Sequence, residues 1–359
     1  MEMKQVPEEL QNSSNGQKKA LGKGREPHQQ VSSISSCLRA WEPYQKKGFD
    51  PNETRMLDII DCWTGEPGPA IALVGIPFDS AVIGRKGAKE GPKKIRDSIR
   101  YFKAYDWNLD FWFGDQKVFD FGDVITDAGT IQASHKNIYE TTCKIAKRGF
   151  IVISLGGDHS ISYPAIKGIY EAHNKKSMGL VNIDAHLDVR EAINGKINSG
   201  TPFRFILENE IVRGENFVEI GIRNFANART YRRFVEEKGG TIFTVDMIKK
   251  QGLASILKET INQISKKTET TYISVDMDGL DQIYAPGVSA PTPNGLSPYE
   301  VANIIHEIIK ETNVVGMDIV ELNPVYDISD ITAINAASFI CRFVSSFYWK
   351  KANNEKTVK

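Results

Sequence analysis

The stretch FIVISL-GGDHS at residues 150–160 decides the fold, because a short apolar run leads directly into a cluster of polar residues. The stretches GLVNI-DAHLD (179–188) and YISV-DMDGLD (272–281) have the same layout. Continuous apolar runs of this length, rich in β-branched residues, predict strands that are buried on both faces of a parallel sheet. Because ligands of such sheets bind beyond the carboxyl ends of the strands, we expect the three polar clusters to face one common site.

Similar apolar runs alternate with longer amphipathic stretches from residue 70 onwards. The predicted strands are Ile71–Ile76, Lys117–Phe121, Phe150–Leu155, Gly179–Ile183, Phe217–Ile222, Thr241–Thr244, Thr271–Val275 and Val314–Val320. The predicted helices between them are Gly129–Arg148, Tyr163–Asn174, Ala228–Lys238, Ala254–Lys266 and Ser297–Glu311. This alternation implies right-handed crossovers, and therefore an α/β fold of three αβα layers with a central, mostly parallel sheet of about eight strands.

Composition narrows the classes of function. The 359 residues carry 45 Lys and Arg against 45 Asp and Glu, and this zero net charge argues against a nucleic-acid binder, which needs an excess of cations. The four cysteines form no CxxC pair and predict reduced thiols in a cytoplasmic protein. No apolar run reaches the length of about 18 residues that a membrane span needs, so we expect no membrane-spanning segment.

Residues 1–36 differ from the rest of the chain because they are rich in Lys, Glu, Gln, Ser and Gly and contain no Phe, Tyr or Trp. Such a segment buries too little apolar surface to offset the entropy of ordering it, so we predict a disordered tail. A docking role within an oligomer is the alternative. Residues 37–359 are predicted to form a single domain.

The polar clusters predict a metal centre. Six candidate ligands follow the three predicted strands: His159, Asp184, His186, Asp188, Asp276 and Asp278. Within DAHLD and DMD the ligand residues are two apart, and an extended backbone places such residues on one face. Burying six carboxylates and imidazoles is costly without cations, and one ion would leave ligands unused, so two divalent metals sharing carboxylates are expected. Oxygen-rich ligation with two imidazoles suits manganese, with nickel or cobalt as alternatives.

The motifs GGDHS, DAHxD and SVDMDxxD resemble, in the same order, the metal motifs of the arginase, agmatinase and formiminoglutamase family. The resemblance covers about residues 70–345 and includes GAKEGP at residues 87–92 and ELNP at residues 321–324. It implies a single arginase-like catalytic domain over residues 37–359 that acts on a small-molecule substrate and assembles into trimers or hexamers.

The resemblance also implies a role for each ligand. The implied sets are His159 and Asp188 for one metal, His186 and Asp278 for the other, and Asp184 and Asp276 as bridges. Glu321 would hold the amidine or guanidine nitrogen of the substrate. In the alternative interpretation Glu321 has a structural role, and its carboxylate at the strand end accepts hydrogen bonds from the backbone. Asp281 is not a ligand in this pattern and is interpreted as a supporting residue.

The loop after DAHLD departs from arginases and agmatinases, in which a histidine just before a Gly-x-Pro shuttles protons. Here the loop reads NSGTPFR at residues 198–204, with Ser199 in the place of that histidine. This loop resembles that of formiminoglutamases, and arginines near the metals suit a substrate that carries a carboxylate. The resemblance therefore implies hydrolysis of N-formimino-L-glutamate to L-glutamate and formamide. The residues assigned to substrate binding are Arg190, Asn198, Ser199, Arg223 and Glu321, and those assigned to catalysis are Asp278, Glu321 and Ser199.

Three alternatives stay open at this point. The substrate could be another guanidine compound, such as guanidine, a guanidino acid, agmatine or a biguanide, with urea or a urea-like product. Arg190 and Arg223 could simply neutralise the acidic metal shell. The chain could also be a metal-binding scaffold without turnover, although the complete ligand set and Glu321 argue against this interpretation.

Overall fold

The structure, a computed structural model, describes residues 38–39, 50, 52–126 and 129–357. The predicted tail at residues 1–36 lies outside the described residues. The division of the chain into a tail and one domain therefore stays a prediction.

One large sheet organises the described part of the chain. The strands are β1 (Leu38–Arg39), β2 (Ile60–Cys62), β3 (Ile71–Gly75), β4 (Tyr105–Asp106), β5 (Phe111–Trp112), β6 (Val118–Val124), β7 (Ile151–Leu155), β8 (Met178–Ile183), β9 (Phe217–Ile222), β10 (Thr241–Thr244), β11 (Thr270–Asp276) and β12 (Val314–Val320). Ten of them form the sheet in the order β1-β6-β3-β7-β12-β11-β8-β9-β10, with β2 also paired to β6. All pairs in this sheet are parallel except β1 with β6, while β4 and β5 form a separate hairpin. The eight predicted strands are confirmed, and the two additional ones are short strands added to β6.

Helices cover both faces of the sheet. They are α1 (Gly91–Ile99), α2 (Ile131–Lys147), α3 (Ser162–Ala172), α4 (Pro202–Glu208), α5 (Arg229–Glu237), α6 (Val245–Gln251), α7 (Leu253–Ser265), α8 (Pro298–Glu311) and α9 (Ile331–Thr357). Buried residues of α1 and α6 to α9 belong to one apolar cluster, and those of α2 to α5 belong to the other. The predicted three-layer αβα architecture is thus confirmed.

The central strands explain why the sequence shows continuous apolar runs. In β8, Leu180 packs into the cluster on one face and the next residue, Val181, packs into the cluster on the other face. Every residue of β8, β11 and β12 is buried. Polar residues within these strands are therefore exceptions that require partners inside the protein.

Four helices, α1, α4, α6 and α9, were not predicted, and two of them show why. The first, α1, begins inside the GAKEGP motif, where Pro92 is tolerated in the first turn because the amide that it lacks would have no helical partner there. The second, α9, has apolar residues around much of its circumference and so lacks the one-sided pattern of an exposed helix. By length and composition α9 could cross a membrane. However, 61% of its most apolar window is buried and it packs against α1 and α8, which is the arrangement of a core helix.

Candidate metal centre

Four neighbouring strands bring the candidate ligands to one edge of the sheet. In the strand order, β12 lies between β7 and β11, and β8 follows β11. His159 stands just beyond β7, and residues 184–188 follow β8. Asp276 ends β11, Asp278 lies in the short 3-10 helix that follows it, and Glu321 follows β12 directly. Because the four strands are parallel, their carboxyl ends share one edge, and the predicted convergence of the polar clusters is confirmed.

Four of the candidate ligands form a first group. The Nδ1 atom of His159 lies 3.2 Å from Asp184 Oδ2 and 3.1 Å from both Asp188 Oδ2 and Asp276 Oδ2. His159 and Asp184 are completely buried. One imidazole nitrogen and three carboxylate oxygens thus surround a single point, which is an arrangement that can hold a metal ion.

Asp184, His186 and Asp278 form a second group. The Nδ1 atom of His186 lies 3.2 Å from Asp278 Oδ2 and 3.6 Å from Asp184 Oδ1. Asp184 therefore offers one carboxylate oxygen to each group, as a bridging ligand does. Asp276 gives its Oδ2 to the first group, whereas its Oδ1 accepts a hydrogen bond from the Asp278 amide at 2.8 Å, so its bridging role stays a prediction.

The surroundings of His159 prepare its ring for a metal ion. The Ser274 hydroxyl donates its only proton to Asp318 Oδ1 at 2.6 Å and lies 3.0 Å from His159 Nε2. The hydroxyl can therefore only accept from the ring, so that Nε2 carries the proton and Nδ1 presents a lone pair. Nδ1 is buried and has no hydrogen-bond partner among the described residues, although three carboxylate oxygens face it. A lone pair and carboxylate oxygens directed at one point fit a divalent cation.

Sequence reasoning overlooked the supporting residues Ser274 and Asp318. Both are completely buried, and Tyr272 also donates to Asp318, at 3.0 Å. A usable signal exists, because Ser274 is a polar residue within an apolar strand and precedes Asp276 by two positions on the same face. Polar residues at this offset from a ligand are therefore candidates for the layer that orients it.

A pocket of about 110 Å³ opens above the two groups, and Glu321, Ser199 and Arg190 contribute to its wall together with the ligands. Glu321 is buried; its Oε1 accepts from the His159 amide at 2.7 Å, while its Oε2 has no hydrogen-bond partner among the described residues. Ser199 Oγ accepts from the Ile83 amide at 3.1 Å, so its own proton is left to donate. The guanidinium of Arg190 lies 5.5 Å from the ring centre of Tyr231. One free carboxylate oxygen, one hydroxyl donor and one cation thus surround the metal ligands.

Arg223 and Asn198, which were also assigned to substrate binding, point to other tasks. Nη2 of Arg223 donates to the carbonyl oxygens of Asp278, Gly279 and Leu280 at 2.7–2.9 Å. This guanidinium therefore holds the backbone that carries a candidate ligand. Arg223 also contributes to the wall of an adjoining pocket that includes His186, and its role towards a substrate stays a prediction. Asn198 Oδ1 accepts from the Gly200 amide at 3.0 Å and shapes the turn beside Ser199.

Asp281, the last acid of DMDGLD, lies apart from both ligand groups. Its carboxylate accepts from the Ile283 amide at 3.0 Å and the Gly295 amide at 2.9 Å. These hydrogen bonds lower the pKa of Asp281 although burial opposes ionisation. Asp281 thus organises the loop after β11, in keeping with its interpretation as a supporting residue.

The metal-free protein is expected to lose thermal stability as the pH rises from about 5 to about 8. Burial raises the pKa of Asp158 from 3.8 to about 7, and burial together with the charge of Asp158 raises the pKa of Glu321 from 4.5 to about 8. Such groups bind a proton more tightly in the folded state, so their stabilising contribution is present below the ordinary pKa and lost as the pH passes the raised one. Differential scanning fluorimetry with a chelator measures this fall, which amounts to about 1–2 °C per kcal/mol lost in a chain of this length.

Metal binding should show the opposite pH dependence. Although burial opposes protonation, the charge of Asp278 raises the pKa of His186 to about 12 in the metal-free protein. A metal must displace that proton, so its apparent affinity should rise as the pH rises. A melting temperature of the metal-free protein that increases from about pH 5 to about pH 8 would contradict the loss of stability expected above.

Comparison with known proteins gives a consistent result. The arginase family profile matches residues 69–345. The formimidoylglutamase of Bacillus subtilis (strain 168) is 36% identical over 290 residues, which cover 80% of this chain and 90% of that protein. Its crystal structure matches with a TM-score of 0.80 at 33% identity, over 86% of this chain and 96% of that one.

Two further relatives bear on metal and substrate. The structure of Trypanosoma cruzi formiminoglutamase with two Mn²⁺ ions matches with a TM-score of 0.75 at 27% identity, over 82% of this chain and 99% of that one. The mitochondrial guanidino acid hydrolase of Homo sapiens is 33% identical over 279 residues, which cover 77% of this chain and 78% of that protein. The similarities thus extend over most of each chain, and the names of these relatives indicate two types of substrate.

Proposed function

The chain belongs to the arginase family and is a metal-dependent hydrolase of amidine C–N bonds, and we propose that its substrate is N-formimino-L-glutamate, cleaved with water to L-glutamate and formamide. The observation that carries this proposal is Arg190, a cation in the pocket wall that makes no ion pair with any residue in the described part of the chain. A guanidinium beside a metal centre suits a substrate that carries a carboxylate. The likeness to formimidoylglutamases supports the same substrate.

We propose that the two ligand groups hold a pair of Mn²⁺ ions, with Ni²⁺ or Co²⁺ as alternatives. His159, Asp188 and Asp276 would hold one ion, His186 and Asp278 the other, and Asp184 both. The Mn²⁺ pair in the T. cruzi enzyme supports manganese. When bound, such a pair polarises the substrate and lowers the pKa of a bound water.

Glu321 is proposed to bind the formimino nitrogen. Its Oε1 is already used by the His159 amide, which fixes the carboxylate, and its free Oε2 can accept an N–H from the substrate. As water adds to the formimino carbon, this carboxylate stabilises the positive charge on the attached nitrogen. The bond from that carbon to the glutamate nitrogen then breaks.

The leaving nitrogen of glutamate needs a proton when the bond breaks. Asp278 or Ser199 is proposed for this task, because both contribute to the pocket wall. The Asp278 carboxylate would accept a proton that the adding water loses and pass it on, or the Ser199 hydroxyl would donate its own proton while it takes one up from that water. A general acid must lie within hydrogen-bond reach of the leaving atom, which a residue in this wall can satisfy.

Replacement of Arg190 by Gln is expected to raise KM for N-formimino-L-glutamate by about 10- to 100-fold with little change in kcat, since a hydrogen bond to a charged group contributes about 1.5–3 kcal/mol. Steady-state kinetics measures the split between KM and kcat. Arg204→Gln is the matched control, because Arg204 lies on the same segment but is paired with Glu191 at 2.8 Å and Glu208 at 3.2 Å. If Arg190 only neutralises the acidic shell, its variant will change metal affinity and leave KM unaltered.

The substrate itself is tested by a direct assay. The purified protein, loaded separately with Mn²⁺, Ni²⁺ and Co²⁺, would be incubated with N-formimino-L-glutamate, arginine, agmatine, guanidine, guanidino acids and a biguanide. Release of glutamate and formamide from N-formimino-L-glutamate alone would support the proposal. Turnover of a guanidine compound with N-formimino-L-glutamate untouched would refute the substrate and leave the metal centre intact.

A hydrolase of a guanidino acid is the second candidate. The similarity to the human guanidino acid hydrolase favours it, and Arg190 would serve the carboxylate of such a substrate equally well. In that case urea or a urea-like product would appear in the assay. We also propose a cytoplasmic homo-oligomer, a trimer or hexamer, and the free thiols of Cys143 and Cys341 are compatible with a reducing compartment.

A further inference from the structure

Five polar residues form a continuous row across the centre of the sheet, directly beneath the ligand groups. They occupy registered positions on five neighbouring strands: Ser154, Asp318, Ser274, Asn182 and Glu219. All five are completely buried. We call them the polar row. A row of polar side chains across a parallel sheet is unusual because its members cannot reach water and must be satisfied by each other or by the site.

One half of the polar row supports His159, since Asp318 and Ser274 fix the tautomer of that ring. The other half is hydrogen-bonded to Asp184, the carboxylate that both ligand groups share. Asn182 Nδ2 donates to Asp184 Oδ2 at 3.2 Å and to Glu219 Oε2 at 2.8 Å. Glu219 therefore reaches Asp184 through the Asn182 amide.

Burial of the Asn182–Glu219 pair lowers the stability of the folded state. Glu219 Oε1 and Asn182 Oδ1 are buried and have no hydrogen-bond partner among the residues that the structure describes. Glu219 also makes no ion pair with a Lys, Arg or His of this part of the chain. A carboxyl buried without full compensation costs stability, and replacing such groups by apolar ones can stabilise a protein. A role at the metal centre would account for the presence of Glu219 at this buried position.

We propose that Glu219 is a positioning residue of the metal centre. Its Oε2 anchors the Asn182 amide, and that amide holds Asp184 in the orientation that serves both ligand groups. Neither residue touches the substrate or a metal. This inference rests on the proposed metal pair, and it extends the set of functional residues to β9, which carries no ligand.

The test compares Glu219→Leu and Glu219→Gln with the wild type by calorimetric titration of Mn²⁺ into the metal-free proteins. Glu219→Leu should weaken Mn²⁺ binding about 10- to 100-fold, as the loss of outer-shell partners commonly does. Glu219→Gln retains an oxygen that accepts from Asn182 and should bind within a few-fold of the wild type. Ser154→Ala is the matched control at the far end of the polar row and should leave Mn²⁺ affinity unaltered.

Thermal unfolding separates this role from a merely structural one. In the metal-free state Glu219→Leu removes a poorly compensated buried carboxyl but also leaves an N–H of Asn182 without its acceptor, so its melting temperature should lie within about a few degrees of the wild type. A lower metal-free melting temperature with unchanged Mn²⁺ affinity would overturn the proposal, as would equal losses in the Leu and Gln variants. A wild type that binds no Mn²⁺ pair would overturn the metal centre itself, which distinguishes the two failures.

Discussion

Asp184→Asn is expected to abolish binding of the metal pair and to lower kcat/KM by roughly three to four orders of magnitude. Asp184 is the residue shared by both ligand groups, with Oδ2 facing His159 and Oδ1 facing His186. An amide of the same size keeps one oxygen but loses the charge and the second oxygen ligand. Loss of a metal pair removes several kcal/mol of transition-state stabilisation, and about 4–6 kcal/mol corresponds to that factor. Metal content after dialysis against a chelator and steady-state kinetics are the two measurements.

Asp281→Asn is the control for this substitution, since it makes the same chemical change in an acid that supports a loop. It should retain both metals and most of the activity, with any loss confined to thermal stability. If Asp184→Asn kept two tightly bound metals, the assignment of Asp184 as the shared ligand would be refuted. If Asp281→Asn lost them as well, the loop after β11 would be needed for metal binding.

The convergence of the candidate ligands could be predicted because it depends only on local spacing and on the strands belonging to one parallel sheet. Asp184, His186 and Asp188 follow β8 at a two-residue spacing. The rule that ligands bind beyond the carboxyl ends of parallel strands then predicts where the site lies. His159 and Glu321 required only that their strands belong to the same sheet.

The supporting layer could not be predicted in the same way. The polar row depends on lateral register between strands that are distant in the chain; Ser274, for example, lies between Asp318 and Asn182. Strand order β7-β12-β11-β8 sets these neighbours, and no local pattern encodes it. The local sequence signal of this supporting layer is a polar residue within an apolar strand, two positions before a ligand.

Side-chain direction also escaped prediction. Arg190 and Arg223 are equivalent by residue type, and both were assigned to a substrate carboxylate. In the structure Arg190 contributes to the wall of the pocket above the ligands, whereas Arg223 donates to the carbonyl oxygens of Asp278 and its neighbours at the edge of an adjoining pocket. A long side chain can serve either purpose, and the outcome depends on how the loop after β11 closes over it.

Glu321→Gln is expected to lower kcat by about 100- to 1000-fold while both metals remain bound, the range seen when one preorganised stabilising group is removed. Glu321 belongs to neither ligand group, so metal content should not change. It has a φ of 63°, a left-handed conformation that costs about 1–3 kcal/mol in a residue other than glycine. The hydrogen bond from the His159 amide to Oε1 holds the carboxylate there, with Oε2 free.

The Gln variant separates the two interpretations of Glu321. If the carboxylate only satisfies the backbone at the end of β12, the amide oxygen of Gln can replace it at the His159 amide and kcat will stay at the wild-type level. If the negative charge stabilises the substrate nitrogen, kcat must fall although the hydrogen bond survives. Asp327→Asn is the control, because its carboxylate accepts from the Thr332 and Ala333 amides at the start of α9, at 2.9 and 3.0 Å. That change should lower the melting temperature and leave kcat unaltered, so that a loss of kcat in Glu321→Gln alone can be assigned to chemistry.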